Sequence, residues 1–209
     1  MAALLEKLGP RASGVIMSPR EFDRAEFVAG RRYELINRAL VVSPIPSESE
    51  TGPNEELGYQ LLHYQKTHPQ GGALDATLPE QTVRTGRNRR HRRKADRVIW
   101  AGLGRLPRKN EPPTIIAEVV SKGKRNQDRD YDVKRREYMA IRVQEYWIFD
   151  RFRDTMTVYS RVGGRIKKRV FREGQIYRTP LLPGFELPLA PIFTLARRWS
   201  RRTDREESA

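Results

Sequence analysis

The chain has 209 residues, a length that suits one domain with tails and a core large enough to need no disulfide or metal staple. Lys and Arg number 41 against 26 Asp and Glu, a net charge of +15 that attracts polyanions over long range, nucleic acid before anionic membrane. There is no Cys, which excludes disulfides, thiolate nucleophiles and Cys-ligated zinc and fits the cytoplasm, and no apolar run approaches the ~20 residues that cross a bilayer.

Residues 1–16 read as a tail, because "MAALLEKLGP" meets Glu6 too soon for a signal peptide. In "MSPREFDRAEFV" (17–28), Ser18 and Pro19 predict a helix start. "RRYELINRALVVS" (31–43) reads as two short strands about a turn at Asn37-Arg38 that lacks the usual Gly. "SPIPSESETG" (43–52) has loop chemistry, and a helix opening at Pro53 is expected to run to residue 69, with Leu57, Leu61 and Tyr64 at helical spacing. "LPEQTVR" (78–84) and "DRVIW" (96–100) are strand-like, and the basic run "RNRRHRRK" between them is expected at the tip of a long hairpin.

"GLGRLPRKNEPP" (102–113) is a Gly- and Pro-rich connection leading into "TIIAEVVS" (114–121), the strongest strand signal in the chain. "DRDYDVKRREYMAI" (128–141) is helical, and "EYWIFD" (145–150) is a buried-type strand. "TMTVYS" and "RIKKRVFR" flank "RVGG" as a hairpin, and "LLPGFELPL" is a Pro-punctuated extension. Residues 17–194 are thus expected to form a single domain and 195–209 a charged tail. The order predicts an α/β fold with a mixed sheet rather than a doubly wound parallel one.

Three side chains stand out. Glu118 is the one charge in an otherwise apolar strand, where an ionised carboxylate is costly unless it is ion-paired or faces a cleft and binds metal. Asp96 opens the preceding strand, and strands adjacent in order often pair, which would bring two carboxylates to one sheet end; a bond to Arg93 or Arg97 is the structural alternative. Lys134 follows Asp130 and precedes Tyr138 at four-residue spacing, so it borders the core, either as a snorkelling side chain or pair for Asp130 or as part of a site. Two carboxylate ligands with waters suit Mg²⁺ better than zinc, and His63, His68 and His91 lack metal-ligand spacing. Asp96 and Glu118 around a metal, with Lys134 beside an attacking water, would suit phosphodiester hydrolysis.

The segments "RRYELINRALVVSPIP", "KADRVIW", "TIIAEVVSKGKRNQDRDYDVKRREYMAIRVQEYWIFD" and "GQIYRTPLLPGFELPL" resemble the Uma2 family, also called DUF820. The resemblance spans about Met17 to Phe193 and is most specific from Glu118 to Asp150. It implies a restriction-endonuclease-like PD-(D/E)XK core: a mixed sheet flanked by helices, here with added N-terminal and C-terminal hairpins. By position, the Pro-Asp of that motif falls on Ala95-Asp96 and its strand acid on Glu118. Val120 stands where the ordinary motif has Lys, and the resemblance implies that Lys134, on the following helix, takes that role. The family's His before the first long helix is missing from "SESETGPNEELG", where Glu56, with Glu55 as the weaker candidate, would supply a third carboxylate.

The resulting expectation is a Mg²⁺- or Mn²⁺-dependent DNA endonuclease with catalytic Asp96, Glu118 and Lys134. Metal would be held by Asp96, Glu118 and Glu56, and phosphate by Arg89, Arg90, Arg92, Arg93 and Lys94. A homodimer is compatible with this core. The competing expectations are a nucleic-acid-binding protein that keeps the fold without cleavage, and an interaction protein whose basic surface meets an acidic partner.

Overall fold

The computed structural model describes residues 7–207. The chain forms two compact units, one from the chain up to Ile45 together with Thr82–Lys94, the other from Pro46–Gln81 together with the chain from Ala95 onward.

In the first unit, helix α1 (Pro19–Arg24) starts where expected: Ser18 Oγ accepts the Glu21 N–H at 3.2 Å, satisfying an orphan donor of the first turn. Strands β1 (Arg31–Ile36) and β2 (Ala39–Pro44) form the anticipated antiparallel hairpin, with Leu35 opposite Leu40. The turn is made without Gly, Asn37 and Arg38 both adopting left-handed φ of 50° and 68°. Met17, Phe22, Leu35 and Leu40 form the small core of this unit.

The second unit is mixed α/β. Strands β4 (His91–Ala101), β5 (Ile115–Val119), β6 (Glu145–Asp150), β7 (Thr155–Val162) and β8 (Arg165–Arg172) lie in that order, with the β5–β6 pair parallel and its neighbours antiparallel. Strand β3 (Leu74–Thr85) pairs with β4, and both run from one unit into the other. The β7–β8 turn falls on Gly163-Gly164, as "RVGG" predicts. Strand β8 is exposed along nearly its whole length and carries Lys167, Lys168 and Arg169, charges that blunt an open sheet edge.

Helices α2 (Glu48–Thr67) and α5 (Leu189–Glu207) share the main core with the sheet. Leu57, Leu61, Ile192 and Phe193 pack there with Ala117, Val119, Trp147 and Phe149. Two boundaries differ from the sequence expectation. Helix α2 begins before Pro53, because the Ser47 N–H donates to Glu50 Oε2 at 2.9 Å and nucleates a turn that Pro53 then joins from inside. The C-terminal stretch expected as a tail continues α5 to Glu207, since Leu189, Ile192, Phe193 and Ala196 anchor its first turns in the core. A short β9–β10 ladder (Ile176–Tyr177 with Leu187–Pro188) completes the unit.

Between β5 and β6 the chain passes through α3 (Lys124–Asp128), a π-helical turn (Arg129–Lys134) and α4 (Arg135–Ala140). Such wide turns are uncommon and gather at functional sites. This one holds two buried charges, Asp130 and Lys134.

Candidate active site

The β4–β5 ladder pairs Arg97 with Ala117 and Val98 with Ile116. One further step of that register sets Asp96 opposite Glu118. Directly opposed residues project to the same face of a sheet. Neighbouring side chains alternate, so Ala117 and Val119 point into the core beneath α2 and α5 while Glu118 points the other way. Arg97, next to Asp96, reaches instead to α2, where its Nε donates to Asn54 Oδ1 at 2.8 Å.

Glu118 is 1% exposed. Lys134 Nζ donates to its Oε2 at 2.8 Å and Tyr138 Oη to its Oε1 at 2.8 Å. Lys134 Nζ also lies 3.3 Å from Asp130 Oδ1. Asp96, also buried, accepts the Val119 N–H on Oδ2 at 2.8 Å, and Asn54 Nδ2 donates to its backbone carbonyl at 2.9 Å. Asp96 is thereby tied to the residue after Glu118. Tyr146 lies behind the cluster with its hydroxyl on the Asp130 carbonyl at 3.1 Å. Burial pushes the Tyr146 hydroxyl well above its ordinary pKa, and the charges of Glu118, Asp130 and Asp96 push it further. One phenol thus senses the negative field of all three carboxylates.

Asp96, Glu118 and Lys134 therefore belong to one buried constellation. Glu56 is placed differently: it is half-buried on α2 and accepts a bond from Gln60 Nε2 at 2.9 Å. Among the described residues there is no group of three His, Cys, Asp or Glu side chains arranged to hold a metal ion. Asp96 and Glu118 nevertheless supply two hard oxygen donors in register. That set fits an octahedral cation such as Mg²⁺, which keeps several waters and takes one or two carboxylates plus substrate phosphate.

The basic run does not form one hairpin tip. Arg89 and Arg90 are exposed in the turn before β4, but that strand already begins at His91. Arg92 is buried, its Nε on Asp23 Oδ1 at 2.7 Å and its Nη2 on Asp23 Oδ2 at 2.8 Å. Arg93 is buried 3.8 Å from Glu34 Oε2, and the half-buried Lys94 donates its backbone N–H to Glu34 Oε1 at 2.9 Å. Carboxylates distant in sequence thus neutralise Arg92 and Arg93. Sequence reasoning missed Tyr138, Asp130 and Asn54 as members of the site. The first two were visible as the 130–134–138 stripe; nothing in the sequence pointed to Asn54.

Comparison with known proteins supports the resemblance. A family profile described as "Uma2: Putative restriction endonuclease" matches residues 19–190. A solved structure from Anabaena variabilis ATCC 29413, described as a putative nuclease belonging to DUF820, shares the fold with a TM-score of 0.63 at 14% identity. That alignment covers 86% of this chain and 99% of the other. A search of the curated proteins found no match. With the profile matching most of its length, the chain belongs to the Uma2 family.

Proposed function

We propose that this protein is a divalent-metal-dependent DNA endonuclease that hydrolyses phosphodiester bonds at the Asp96–Glu118–Lys134 cluster. The observation that carries the reading is the cross-strand register that sets Asp96 opposite Glu118, with the Lys134 ammonium 2.8 Å from the Glu118 carboxylate. Family membership supports the same reading.

In this account Asp96 and Glu118 would hold Mg²⁺ or Mn²⁺. A cation bound there supplies Lewis acidity toward a phosphoryl oxygen and lowers the pKa of a water. Lys134 holds its charge beside the carboxylates, placed to orient the attacking water and to offset charge building on the phosphorus oxygens. Tyr138 fixes the second Glu118 oxygen and so the direction in which that carboxylate presents itself. Asn54 and the Val119 N–H do the same for Asp96.

One observation favours a second reading. Both Glu118 oxygens already have protein partners, as in a structural ion pair within a non-catalytic DNA-binding protein. Incubation of supercoiled plasmid with Mg²⁺ or Mn²⁺ separates the two. Wild type is expected to nick the plasmid, while Asp96→Ala binds DNA without cutting. Binding without cutting by both proteins, over several metals, would establish the second reading.

A further inference from the structure

The β7–β8 hairpin carries an unmixed run of cations that the cleavage chemistry does not use. Residues 161–172, "RVGGRIKKRVFR", hold Lys and Arg but no Asp or Glu. Strand β8 is the last in the sheet order, so one flank of its backbone meets no further strand. Arg165, Lys167, Lys168, Arg169 and Arg172 are exposed along it, and among the described residues none of them forms an ion pair. Other exposed arginines of this unit do: Arg105 meets Glu111, Arg136 meets Asp132 and Arg178 meets Glu186. Charge of either sign blunts a sheet edge, and surfaces ordinarily intersperse the two. Like charges crowded on one strand repel, so protection of the edge does not by itself account for a single sign.

Strand register places this edge relative to the carboxylates. Glu118 stands opposite Ile148, Ile148 opposite Thr157, and Thr157 opposite Val170. Residues so opposed share a face, so Val170 lies on the Glu118 face of the sheet, three interstrand steps or about 14 Å away. Lys168 and Arg172, two residues either side of Val170, share that face. Ring contacts run the same way. Lys168 Nζ lies 6.0 Å from the centre of the Tyr159 ring, Tyr159 stacks on Tyr146 at 6.4 Å, and Tyr146 meets Tyr138 edge-on at 5.2 Å. Tyr138 in turn donates to Glu118. Arg165, Lys167 and Arg169 alternate to the other face, where the Arg169 guanidinium lies over the Phe171 ring at 5.4 Å.

We propose that β8 is the strand along which this protein holds the phosphate backbone of duplex DNA. The choice of DNA rests on the nuclease reading above. From Arg165 to Arg172 the strand runs about 23 Å, the rise of about seven phosphates on one strand of a duplex. A duplex laid along the edge meets cations from both faces, because no strand covers that flank of β8. A lipid surface fits less well, since Ile166 and Val170, the exposed apolar side chains of β8, are too few to make an inserting face. A peptide added to the edge also fits less well, since long cations stand where pockets for its alternate side chains would be. The contacts read charge and not sequence.

The test is fluorescence anisotropy of a 30-base-pair duplex, in EDTA, over a salt series. It compares the full chain with Arg165→Gln/Lys167→Gln/Lys168→Gln/Arg172→Gln, which leaves the packed Arg169 in place. Four phosphate contacts correspond to a salt slope near −3.6, so raising salt from 50 to 200 mM should weaken wild type by up to about 150-fold more than the Gln variant. The single variants Lys167→Gln and Arg172→Gln, which disturb the strand least, should each reduce the slope by about 0.9. Arg165→Lys/Lys167→Arg/Lys168→Arg/Arg172→Lys keeps the charges and should keep most of the slope. Arg198→Gln/Arg201→Gln/Arg205→Gln removes exposed charge elsewhere and should also keep most of it. The proposal is overturned if the β8 Gln variants retain the wild-type slope, if the charge-swapped variant loses it equally, or if the Arg198/Arg201/Arg205 variant loses as much per charge. Self-association of the Gln variant in light scattering, with an unchanged slope, would leave β8 as a protected edge only and overturns the proposal too. So does binding to phosphatidylglycerol vesicles without salt-dependent DNA binding. Plasmid nicking at 50 mM salt and subsaturating protein tests the nuclease reading separately. A slope lost in the Gln variant without nicking by wild type supports the β8 contact and rejects only the cleavage reading. Nicking by wild type that is unchanged in the Gln variant rejects the β8 contact alone.

Discussion

Replacing Lys134 by Met asks whether the buried ion pair exists for stability or for chemistry. Lys134 and Glu118 side chains are each 2% exposed and their charges lie 2.8 Å apart. At an effective dielectric of about 20 that separation corresponds to a gross attraction of about 6 kcal/mol, most of it offset by the desolvation of both ions. Lys134→Met takes the ammonium away from Glu118, which keeps the Tyr138 hydroxyl, and removes the cation beside Asp130. Breaking a buried pair in this way costs about 3–5 kcal/mol, a fall in Tm of about 6–20 °C for a chain of this size. Glu118→Gln combined with Lys134→Met removes both charges and keeps a partner for Tyr138. It should regain at least about 2 kcal/mol of that loss. Thermal and urea unfolding of wild type and the two variants checks this, with DNA cleavage expected to be absent in both variants. A Lys134→Met variant within about 1 kcal/mol of wild type, or a double variant no more stable than the single, would refute the reasoning.

Three further outcomes follow from geometry outside the site. A Cβ at Gly58 would meet Arg97 Nη2 at 2.5 Å, and Asn54 holds that buried guanidinium in place, so Gly58→Ala should cost about 1–3 kcal/mol in urea unfolding. Arg38→Gly should stabilise the protein by about 1 kcal/mol by relieving the left-handed φ of 68° in the β1–β2 turn, measured the same way. The Arg105 guanidinium, with the Arg108 N–H, lowers the Glu111 carboxyl from its usual 4.5 to about 2. A lowered carboxylate contributes stability above its unfolded pKa and loses it as pH falls through the folded one, so the contribution disappears between about 4.5 and 2. Glu111→Gln should flatten the acid limb of the stability curve, and an NMR titration midpoint near 4.5 for Glu111 would contradict the assignment.

Glu118 was legible because burial energetics make a lone carboxylate in "TIIAEVV" conspicuous, and the structure places it at 1% exposure. Asp96 was legible through the tendency of successive strands to pair, which the β4–β5 ladder bears out. Its assigned role, like that of Lys134, also drew on the family resemblance. Long-range pairing hid the rest. Arg92 and Arg93 look like phosphate contacts until Asp23 and Glu34 fold against them, and no local pattern announces such partners. The start of α2 was misplaced because Pro53 is the stronger local punctuation, whereas the Ser47–Glu50 contact depends on the folded turn. The "ARRWSRR" stretch looks like a tail because the residues that order it, Leu189 to Ala196, lie upstream.

The claim that Asp96 and Glu118 jointly hold the catalytic cation is tested most directly by Mn²⁺ binding, measured by calorimetry or by electron paramagnetic resonance, in wild type and Asp96→Asn. Asn keeps the shape of Asp and a carbonyl acceptor for the Val119 N–H, so the fold should persist. The account predicts at least a roughly 10-fold loss of Mn²⁺ affinity together with loss of DNA nicking, since one of two hard carboxylate ligands is removed and the loss of an outer-shell partner alone costs about that much. Unchanged Mn²⁺ binding and unchanged nicking in Asp96→Asn would contradict it.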